Sequence, residues 1–519
     1  MNGAQALLGT LAHNGVEVCF ANPGTSEMHA VAALQDTPRI RGSLVLFEGV
    51  ATGAADGYGR MSGRPAATLL HLGPGLANGL SNLHNARRAC SPVVNVIGDH
   101  ASYHRALDAP LTSDVEGAAR PFSDWVRTTA GADAVAGDGA AAVAASLRGQ
   151  IASLVLPADA AWSPLRDVPP QWPVADPAPA PVVDELAVTE AARLLRDAGP
   201  RAAILFGGRT SNAVALELAA RIAASTGAEV LVNTHIARVP RGAGRHPARK
   251  VPYPVEQARE LFDRFDTVVL VGAAPPVPFF AYPDKRSRIA RPGTRFVELC
   301  DARADPEPAL RALLDTAGRT GAAGPAARPA GLALPARPTG TITPDKLAAF
   351  LANVIPEDGI VVDESITTGR SFHAATATAR PHDWLSGTGG SIGYAMPVAV
   401  GAAMACPGRR VLTLESDGSG LYMPQALWTQ AREGLDVVTL VFANRRYQIL
   451  RNEMANVGVQ DVGERASALL DLTSPVVDWV SLARGLGVQA TRAETMDELA
   501  TATDAALAAG GPTVIEVLL

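Results

Sequence analysis

Short apolar runs alternate with longer alanine- and leucine-rich amphipathic runs along most of the chain. The short β-branched runs predict strands, and the longer runs with apolar residues three and four apart predict helices. Strands are expected near Val16–Phe20, Ser43–Phe47, Ala66–Leu70 and Val93–Ile97, then Ala202–Phe206, Glu229–Val232 and Thr267–Val271. A last group falls near Gly359–Val362, Arg410–Leu414, Val437–Phe442 and Thr513–Val517. Strand–helix alternation of this kind argues for an α/β protein with doubly wound parallel sheets. Two stretches rich in Pro, Gly and Ala, Trp162–Asp184 and Ala317–Gly340, break the pattern and read as linkers. They cut the chain into three expected domains, 1–162, 185–316 and 341–519.

Length agrees with that division, since 519 residues correspond to roughly three domains of about 150 residues each. A formal net charge of −6 and the lack of any basic run give no electrostatic case for nucleic acid. No segment is apolar for long enough to span a membrane, and the first residues lack the pattern of a secretory signal. Cys19, Cys90, Cys300 and Cys406 are scattered without a CxxC pair, so free thiols in a reducing cytoplasm are expected.

Candidate chemistry concentrates in Arg410–Arg451. One apolar run ends in Ser416-Asp417-Gly418, an amphipathic run follows, and a second apolar run ends in Asn444-Arg445-Arg446. Both polar turns then lie at the carboxyl ends of neighbouring parallel strands, where open α/β sheets bind ligands. A helix start after the first turn suits a phosphate, and a carboxylate with an amide oxygen suits Mg²⁺. The same residues also fit an ordinary strand–helix–strand unit with capped turns. Upstream, Ser43–Arg60 (SLVLFEGVATGAADGYGR) runs a strand into Glu48 and then into a helix of small residues. The small residues imply close approach of another helix, expected across a subunit interface. Glu48 is placed either for proton transfer or as a solvated helix cap.

Taken in order, EGVATGAADGYGR and the Asp417–Asn444 pair resemble the two motifs of thiamine-diphosphate enzymes, such as benzoylformate decarboxylase and the acetolactate synthase large subunit. Two departures from the second motif are Ser416 for its first glycine and Ala443 for the first asparagine of its pair; neither removes a ligand side chain. The resemblance covers essentially the whole chain. It implies a pyrimidine-binding, a central and a diphosphate-binding domain, with thiamine diphosphate held between two subunits of a homodimer or homotetramer. It implies Mg²⁺ on Asp417, Asn444 and the backbone carbonyl of Arg446, with Gly418 and Ser419 beside the diphosphate. Glu48 would protonate N1′ of the aminopyrimidine, so that the cofactor forms the ylid that carries the chemistry.

Further segments follow the decarboxylase. ANPGTSE (Ala21–Glu27) places Thr25 where a serine contacts the substrate carboxylate, and Leu70-His71 before the turn Gly73-Pro74-Gly75 matches an active-site histidine. Asn78 is a weaker candidate beside the cofactor. In DESITT (Asp363–Thr368), Ser365 and Thr367 are candidates for the diphosphate. In GTGGSIGYAMP (Gly387–Pro397), the resemblance gives the Gly390 carbonyl to the 4′-amine and wedges Ile392 between the rings. The decarboxylase takes a second histidine from its central domain, but Val271–Pro283 holds none and offers Phe279 and Phe280 instead. That makes one corner of the substrate pocket apolar and removes a proton donor; Leu450 is a further candidate for the pocket wall.

The reaction implied is decarboxylation of a 2-oxo acid, followed by enamine protonation or carboligation. The alternatives are an acetolactate synthase joining two 2-oxo acids, and a non-catalytic cofactor-binding homologue. FAD is not expected: Ala202–Asn212 offers a Gly pair without the GxGxxG spacing.

Overall fold

The computed structural model describes residues 1–317 and 331–519; residues 318–330 of the second expected linker lie outside the described residues. The chain builds three sheets flanked by helices. In the first, β1 (Val18–Ala21), β2 (Arg41–Leu44), β3 (Ala66–His71), β4 (Val93–Asp99), β5 (Trp125–Thr128) and β6 (Ile151–Pro157) run parallel in the order β2-β1-β3-β4-β6-β5. The central segment contributes β7 (Ala202–Phe206), β8 (Glu229–Val232), β9 (Val239–Arg241), β10 (Arg249–Lys250), β11 (Thr267–Val271) and β12 (Arg295–Cys300). Its parallel sheet is ordered β10-β8-β7-β11-β12. The last sheet contains β13 (Gly359–Asp363), β14 (His382–Ser386), β15 (Val411–Ser416), β16 (Val437–Ala443), β17 (Gln489–Ala493) and β18 (Thr513–Leu518). Its order is β17-β18-β16-β15-β13-β14-β9.

β9 departs from the expected division, because it leaves the central unit and pairs antiparallel with β14. The edge strand of the last sheet is thus borrowed from the preceding stretch of chain. Polar strands such as β5 and β17 escaped the hydrophobic pattern, whereas the apolar run of β15, buried up to Ser416, and the fully buried β16 were plain in it.

Each sheet has one place where the chain leaves neighbouring strands in opposite directions. These switch points fall between β1 and β3, between β7 and β11, and between β13 and β15. Crevices outside the carboxyl ends of the strands open there. In the central sheet the crevice is filled: the Thr210 hydroxyl donates to the carbonyls of Val271 at 2.9 Å and Gly207 at 2.8 Å. In the other two sheets it is lined by the candidate residues.

The small-residue helix α1 (Glu48–Ser62) packs against another helix, but not one across a subunit interface as expected. Its partner is α4 (Ala395–Ala405) of the same chain, while α2 (Leu72–Ala89) lies on its other side and α3 (Ala213–Thr226) belongs to the central unit. A methyl group on Gly57 would lie 2.0 Å from the Val398 carbonyl oxygen, and one on Gly401 would lie 1.8 Å from that of Ala54. Val50, Ala51, Ala54 and Tyr58 therefore share one apolar core with Val398, Ala399 and Ala402. Among the described residues, no helix is long and apolar enough to cross a membrane.

Gly401→Ala should cost about 3 kcal/mol or more, because backbone meets the new methyl and cannot rotate away. Gly137→Ala, in the helix Val135–Leu147 with open space around it, should be neutral or stabilising by up to about 1 kcal/mol. Denaturant unfolding of both variants checks the contrast.

Candidate active site

At the first switch point β1 ends in the Asn22–Glu27 turn and β3 ends in His71, so the two segments face each other. Glu27 is buried beneath them and organises the corner. Its Oε2 accepts from the Gly24 N–H at 2.7 Å and lies 2.8 Å from His71 Nδ1. The Ser26 hydroxyl donates to Glu27 Oε1 and stands 3.3 Å from His71 Nδ1. The imidazole is thus held through Nδ1, with Nε2 turned away from this network. Thr25 is exposed at the lip of the turn. Ser26 and Glu27 were missed by the sequence reading, although both stand inside the ANPGTSE segment that carried Thr25.

Gly73-Pro74-Gly75 is not a turn. It forms the first turn of α2, where a proline costs no helical hydrogen bond. This places α2 against the start of α1. Asn78 Nδ2 donates to Glu48 Oε2 at 2.9 Å, and a methyl on Gly75 would stand 3.0 Å from Glu48 Oε1. Glu48 is the first residue of α1 and only 5% exposed, with one oxygen bound and the other over a glycine.

At the third switch point β13 ends in Asp363 and β15 in Ser416. Asp417 is buried; its Oδ1 accepts from the Gly418 N–H at 3.0 Å and its Oδ2 from the Arg445 N–H at 2.6 Å. The second bond ties the two polar turns together, and a left-handed Arg445 (φ 55°) aims that N–H across the gap. Burial pushes the Asp417 carboxyl up to about 6, against the lowering by these N–H donors. Asn444 Oδ1 accepts from the Arg446 N–H at 3.0 Å, and the Arg446 carbonyl from the Gln448 N–H at 3.0 Å. The Ser365 hydroxyl turns inward to Asp363 Oδ1, whereas Thr367 is half-buried with its hydroxyl in no hydrogen bond among the described residues. Ser419 likewise turns inward and donates to Glu415 Oε1 at 2.7 Å.

Two buried glutamates lie below these turns. Glu364 accepts from the Gly393 and Ala395 N–H groups at 2.7 and 2.9 Å, and burial still pushes it up to about 8. Burial and the neighbouring Glu364 hold Glu415 well above the carboxylate range.

The Gly387–Ile392 segment is gripped by all three units. From α2, Asn85 bonds the Ser391 carbonyl at 2.9 Å and the Ser391 N–H at 3.2 Å, and His84 meets the Gly389 carbonyl at 3.1 Å. From the central unit, His235 Nδ1 meets the Gly387 carbonyl at 2.8 Å and Phe279 covers Gly390, where a methyl would lie 2.1 Å from the ring. Gly390 has φ 80°, exposing its own peptide at the surface, and Ile392 is half-buried beside it.

The corner expected to be purely apolar is aromatic with a histidine in it. Phe279 packs on His235 (centroids 5.2 Å apart), on Tyr253 (5.9 Å) and on Phe280 (5.0 Å). His235 follows β8, outside the segment in which a central histidine was sought, which is why it went unnoticed. Burial and the nearby Lys250 push its imidazole down to about 4. Its Nδ1 carries the proton that the Gly387 carbonyl accepts, so Nε2 is a bare acceptor. His235 therefore does not replace the missing proton donor. Leu450 is exposed on the helix Gln448–Asn456, which Tyr282 ties to the central unit through Glu453 at 2.7 Å.

Both ligand-facing corners fit thiamine diphosphate. Asp417, Asn444 and a free carbonyl lone pair offer hard oxygens of the kind that suit a divalent cation, and Glu48 is a buried carboxyl with one oxygen bound by Asn78 and the other over Gly75. Among the described residues, no group of three or more His, Cys, Asp and Glu side chains is arranged to hold a metal. A cation at Asp417 must then complete its shell from amide, carbonyl and phosphate oxygens.

Comparison with known proteins agrees. Residues 1–118 match the thiamine pyrophosphate enzyme N-terminal TPP-binding domain, and residues 367–517 match the C-terminal one. The chain is 50% identical to a protein of Mycobacterium tuberculosis named "Putative acetolactate synthase large subunit IlvX", over 100% of this chain and 99% of that one. It is 30% identical to the benzoylformate decarboxylase of Pseudomonas aeruginosa, covering 98% of this chain and 97% of that protein. Its fold matches the thiamine diphosphate-dependent 4-hydroxybenzoylformate decarboxylase of Rhodococcus jostii with a TM-score of 0.82 at 24% identity, over 99% and 98% of the two chains. The chain belongs to the thiamine pyrophosphate enzymes, in the group that contains benzoylformate decarboxylases and acetolactate synthase large subunits.

Glu27→Ala should destabilise the protein by about 2–4 kcal/mol, since it strips buried partners from the Gly24 N–H, Ser26 and His71. Glu27→Gln keeps an acceptor for Gly24 and should cost less. Thermal and urea unfolding of the two variants measure the difference.

Proposed function

We propose that this protein decarboxylates a bulky, preferably aromatic 2-oxo acid with thiamine diphosphate and Mg²⁺, releasing an aldehyde or passing the acyl carbanion equivalent to a second carbonyl. The observation that carries this reading is His71 pinned at Nδ1 in the Ser26–Glu27–His71 corner, and the separate aromatic cluster of Phe279, Phe280 and Tyr253 supports a bulky substrate side chain, the subunit pairing proposed below bringing the two together. Thiamine diphosphate, when bound, supplies the electron sink for loss of CO₂. Glu48, oriented by Asn78, holds the proton at N1′ of the aminopyrimidine. Asp417, Asn444 and the Arg446 carbonyl hold Mg²⁺. Gly418, Ser419, Ser365 and Thr367 bind the diphosphate, Ser419 through its backbone N–H and Ser365 once its hydroxyl and N–H, both donated to Asp363 Oδ1, turn outward. The Gly390 carbonyl would accept from the 4′-amine, and Ile392 would pack against the rings of the cofactor.

Thr25 presents its hydroxyl to the substrate carboxylate, while the Ser26 proton is committed to Glu27. His71, held at Nδ1 by Glu27, exchanges a proton through Nε2. Phe279, Phe280 and Leu450 face the substrate's side chain and exclude water. Among the described residues no hydrogen bond or ion pair joins Glu48 to Asp417 or Asn444 in one chain. That supports a homodimer, or a tetramer of such pairs, in which Glu48 of one subunit meets the Asp417 turn of its partner. Free Cys19, Cys90, Cys300 and Cys406 support a cytoplasmic location. The second reading, an acetolactate synthase, is favoured by the name of the 50% identical relative.

CO₂ release and ligation products measured across benzoylformate, pyruvate and branched 2-oxo acids decide between the two. Benzoylformate turnover is the expected result, and acetolactate from pyruvate alone would overturn it. In the same assay Glu48→Gln should lose about 10²–10⁴-fold in kcat with cofactor affinity nearly unchanged; undiminished turnover would remove Glu48 from its role.

Because a proton and a cation compete for Asp417, cofactor retention should depend on pH. The carboxyl pushed up to about 6 is ionised above pH 7 and ligates; below about 6 it is protonated and does not. Mg²⁺-supported retention of thiamine diphosphate should be flat above pH 7. It should weaken by about tenfold per pH unit below 6, read by calorimetric titration.

A further inference from the structure

Where the three units meet, at the starts of β13, β14 and β15 rather than at the strand ends that carry Asp363 and Ser416, a cavity of about 570 Å³ opens. It lies at the C-terminal end of α1, whose first residue is Glu48; fifteen residues at 1.5 Å each separate the two sites by about 20 Å. It is also distinct from the central switch point, which Thr210 fills. The walls carry Arg60, Arg209, Arg238, Arg245 and Arg409 against two carboxylates, Asp358 and Asp383.

The ion pairs do not use up this charge. Asp383 is clamped by Arg238 at 2.9 Å and Arg409 at 2.7 Å, and Arg60 is paired with Asp56. Arg209 and Arg245 have no carboxylate partner among the described residues; they donate to the carbonyls of Arg303 (2.8 Å) and His382 (2.6 Å). Asp358 is exposed at the rim and solvated. The negative end of α1 faces the cavity too, but Arg238 caps it by donating to the carbonyls of Arg60 and Met61, both at 3.3 Å.

Two further features point to an oxyanion. Ser211 is 4% exposed, lines the cavity, and its buried hydroxyl has no hydrogen-bond partner. An orphan hydroxyl costs about 1–3 kcal/mol unless a ligand or water satisfies it. Two residues on, Ala213 opens the fourteen-residue helix α3; Asn212 caps it by accepting from the Ala215 N–H at 2.8 Å, and the remaining amino-terminal N–H groups and the dipole favour a phosphate. Guanidinium forks match phosphate oxygens in pairs, and the volume lies within the range of small-molecule sites.

We propose that this three-unit junction binds a phosphate-bearing small molecule through Arg209, Arg245, the Ser211 hydroxyl and the start of α3. The proposal stands independently of the substrate reading above.

Protein saturated with thiamine diphosphate and Mg²⁺, so that the cofactor's own diphosphate subsite is filled, is titrated calorimetrically with inorganic phosphate and with ADP. Saturable binding of one molecule per chain is expected. Arg209→Glu should weaken it at least about tenfold. Ala213→Asp should do the same, while its carboxylate favours the helix start and keeps the fold. Both residues are exposed, so thermal midpoint, cofactor retention and basal turnover should match those of the parent. Binding of ADP in preference to phosphate assigns a nucleotide-sized ligand, and equal binding assigns a bare phosphate group. No binding of either up to about 10 mM, or binding untouched by both substitutions, would overturn the proposal.

Discussion

The arrangement of this protein depends on one backbone contact. Helices α1 and α4 meet with so little side chain between them that carbonyl oxygens occupy the space a methyl would fill at Gly57 and Gly401. Dispersion falls off steeply with distance, so the shortest approach between helices gives the largest contact per residue and tolerates the least change. Its consequence is geometric. α1 begins at Glu48 and α4 begins just beyond the Gly387–Ile392 segment, so fixing one helix on the other holds in one rigid body the parts that a single chain would contribute to the two sites of the proposed dimer. Arg60 reinforces the joint by donating to the Ser386 carbonyl at 2.7 Å while paired with Asp56.

The electrostatics follow from which carboxylates are allowed to ionise. Glu364 and Glu415 are buried without a cation between them, and two such charges cannot both persist in a medium of low dielectric. Their raised pKa values leave neutral acids as props beneath the turns, hydrogen-bonded to N–H and hydroxyl donors. Asp417 is perturbed less because it is less deeply buried than the two glutamates, and it is the carboxylate whose turn opens on the crevice. Negative charge is thereby concentrated where a divalent cation can answer it. It is withheld from the layer below, where nothing can.

The strands of the buried sheet centres were legible because their apolar runs were unbroken, and the Glu48 and Asp417 segments were legible because their chemistry sits in contiguous residues. Contacts made across units left no such trace. Neither the pairing of α1 with α4, nor β9 crossing into the last sheet, nor His235 beneath Phe279 has a local signature. GPG misled for a different reason: glycine and proline mark turns by frequency, yet proline is equally at home in the first turn of a helix. Glu27 was within sight, two residues beyond Thr25. Its importance comes from burial against His71, which the sequence of that short turn does not encode.

The three switch points show how one architectural rule yields different outcomes. All three sheets reverse direction once, and each reversal opens a crevice at the carboxyl ends of its strands. In the first, the crevice is lined by a histidine pinned through Nδ1, with Nε2 outside that network. In the third, it is lined by a carboxylate and an amide that suit a cation and a phosphate. In the second, Thr210 bonds the strand-end carbonyls and fills the gap, so the central unit has no crevice of its own to offer. That unit works at its margins instead, laying His235 and Phe279 on the Gly387–Gly390 peptide on one side and Arg209 and Ser211 on the three-unit junction on the other. With His235 locked as an acceptor at Nε2, the margin facing the reaction shapes the pocket without supplying a proton. On the proposed reading His71 would supply that proton, and the balance between aldehyde release and ligation would rest on how quickly it arrives relative to a second carbonyl.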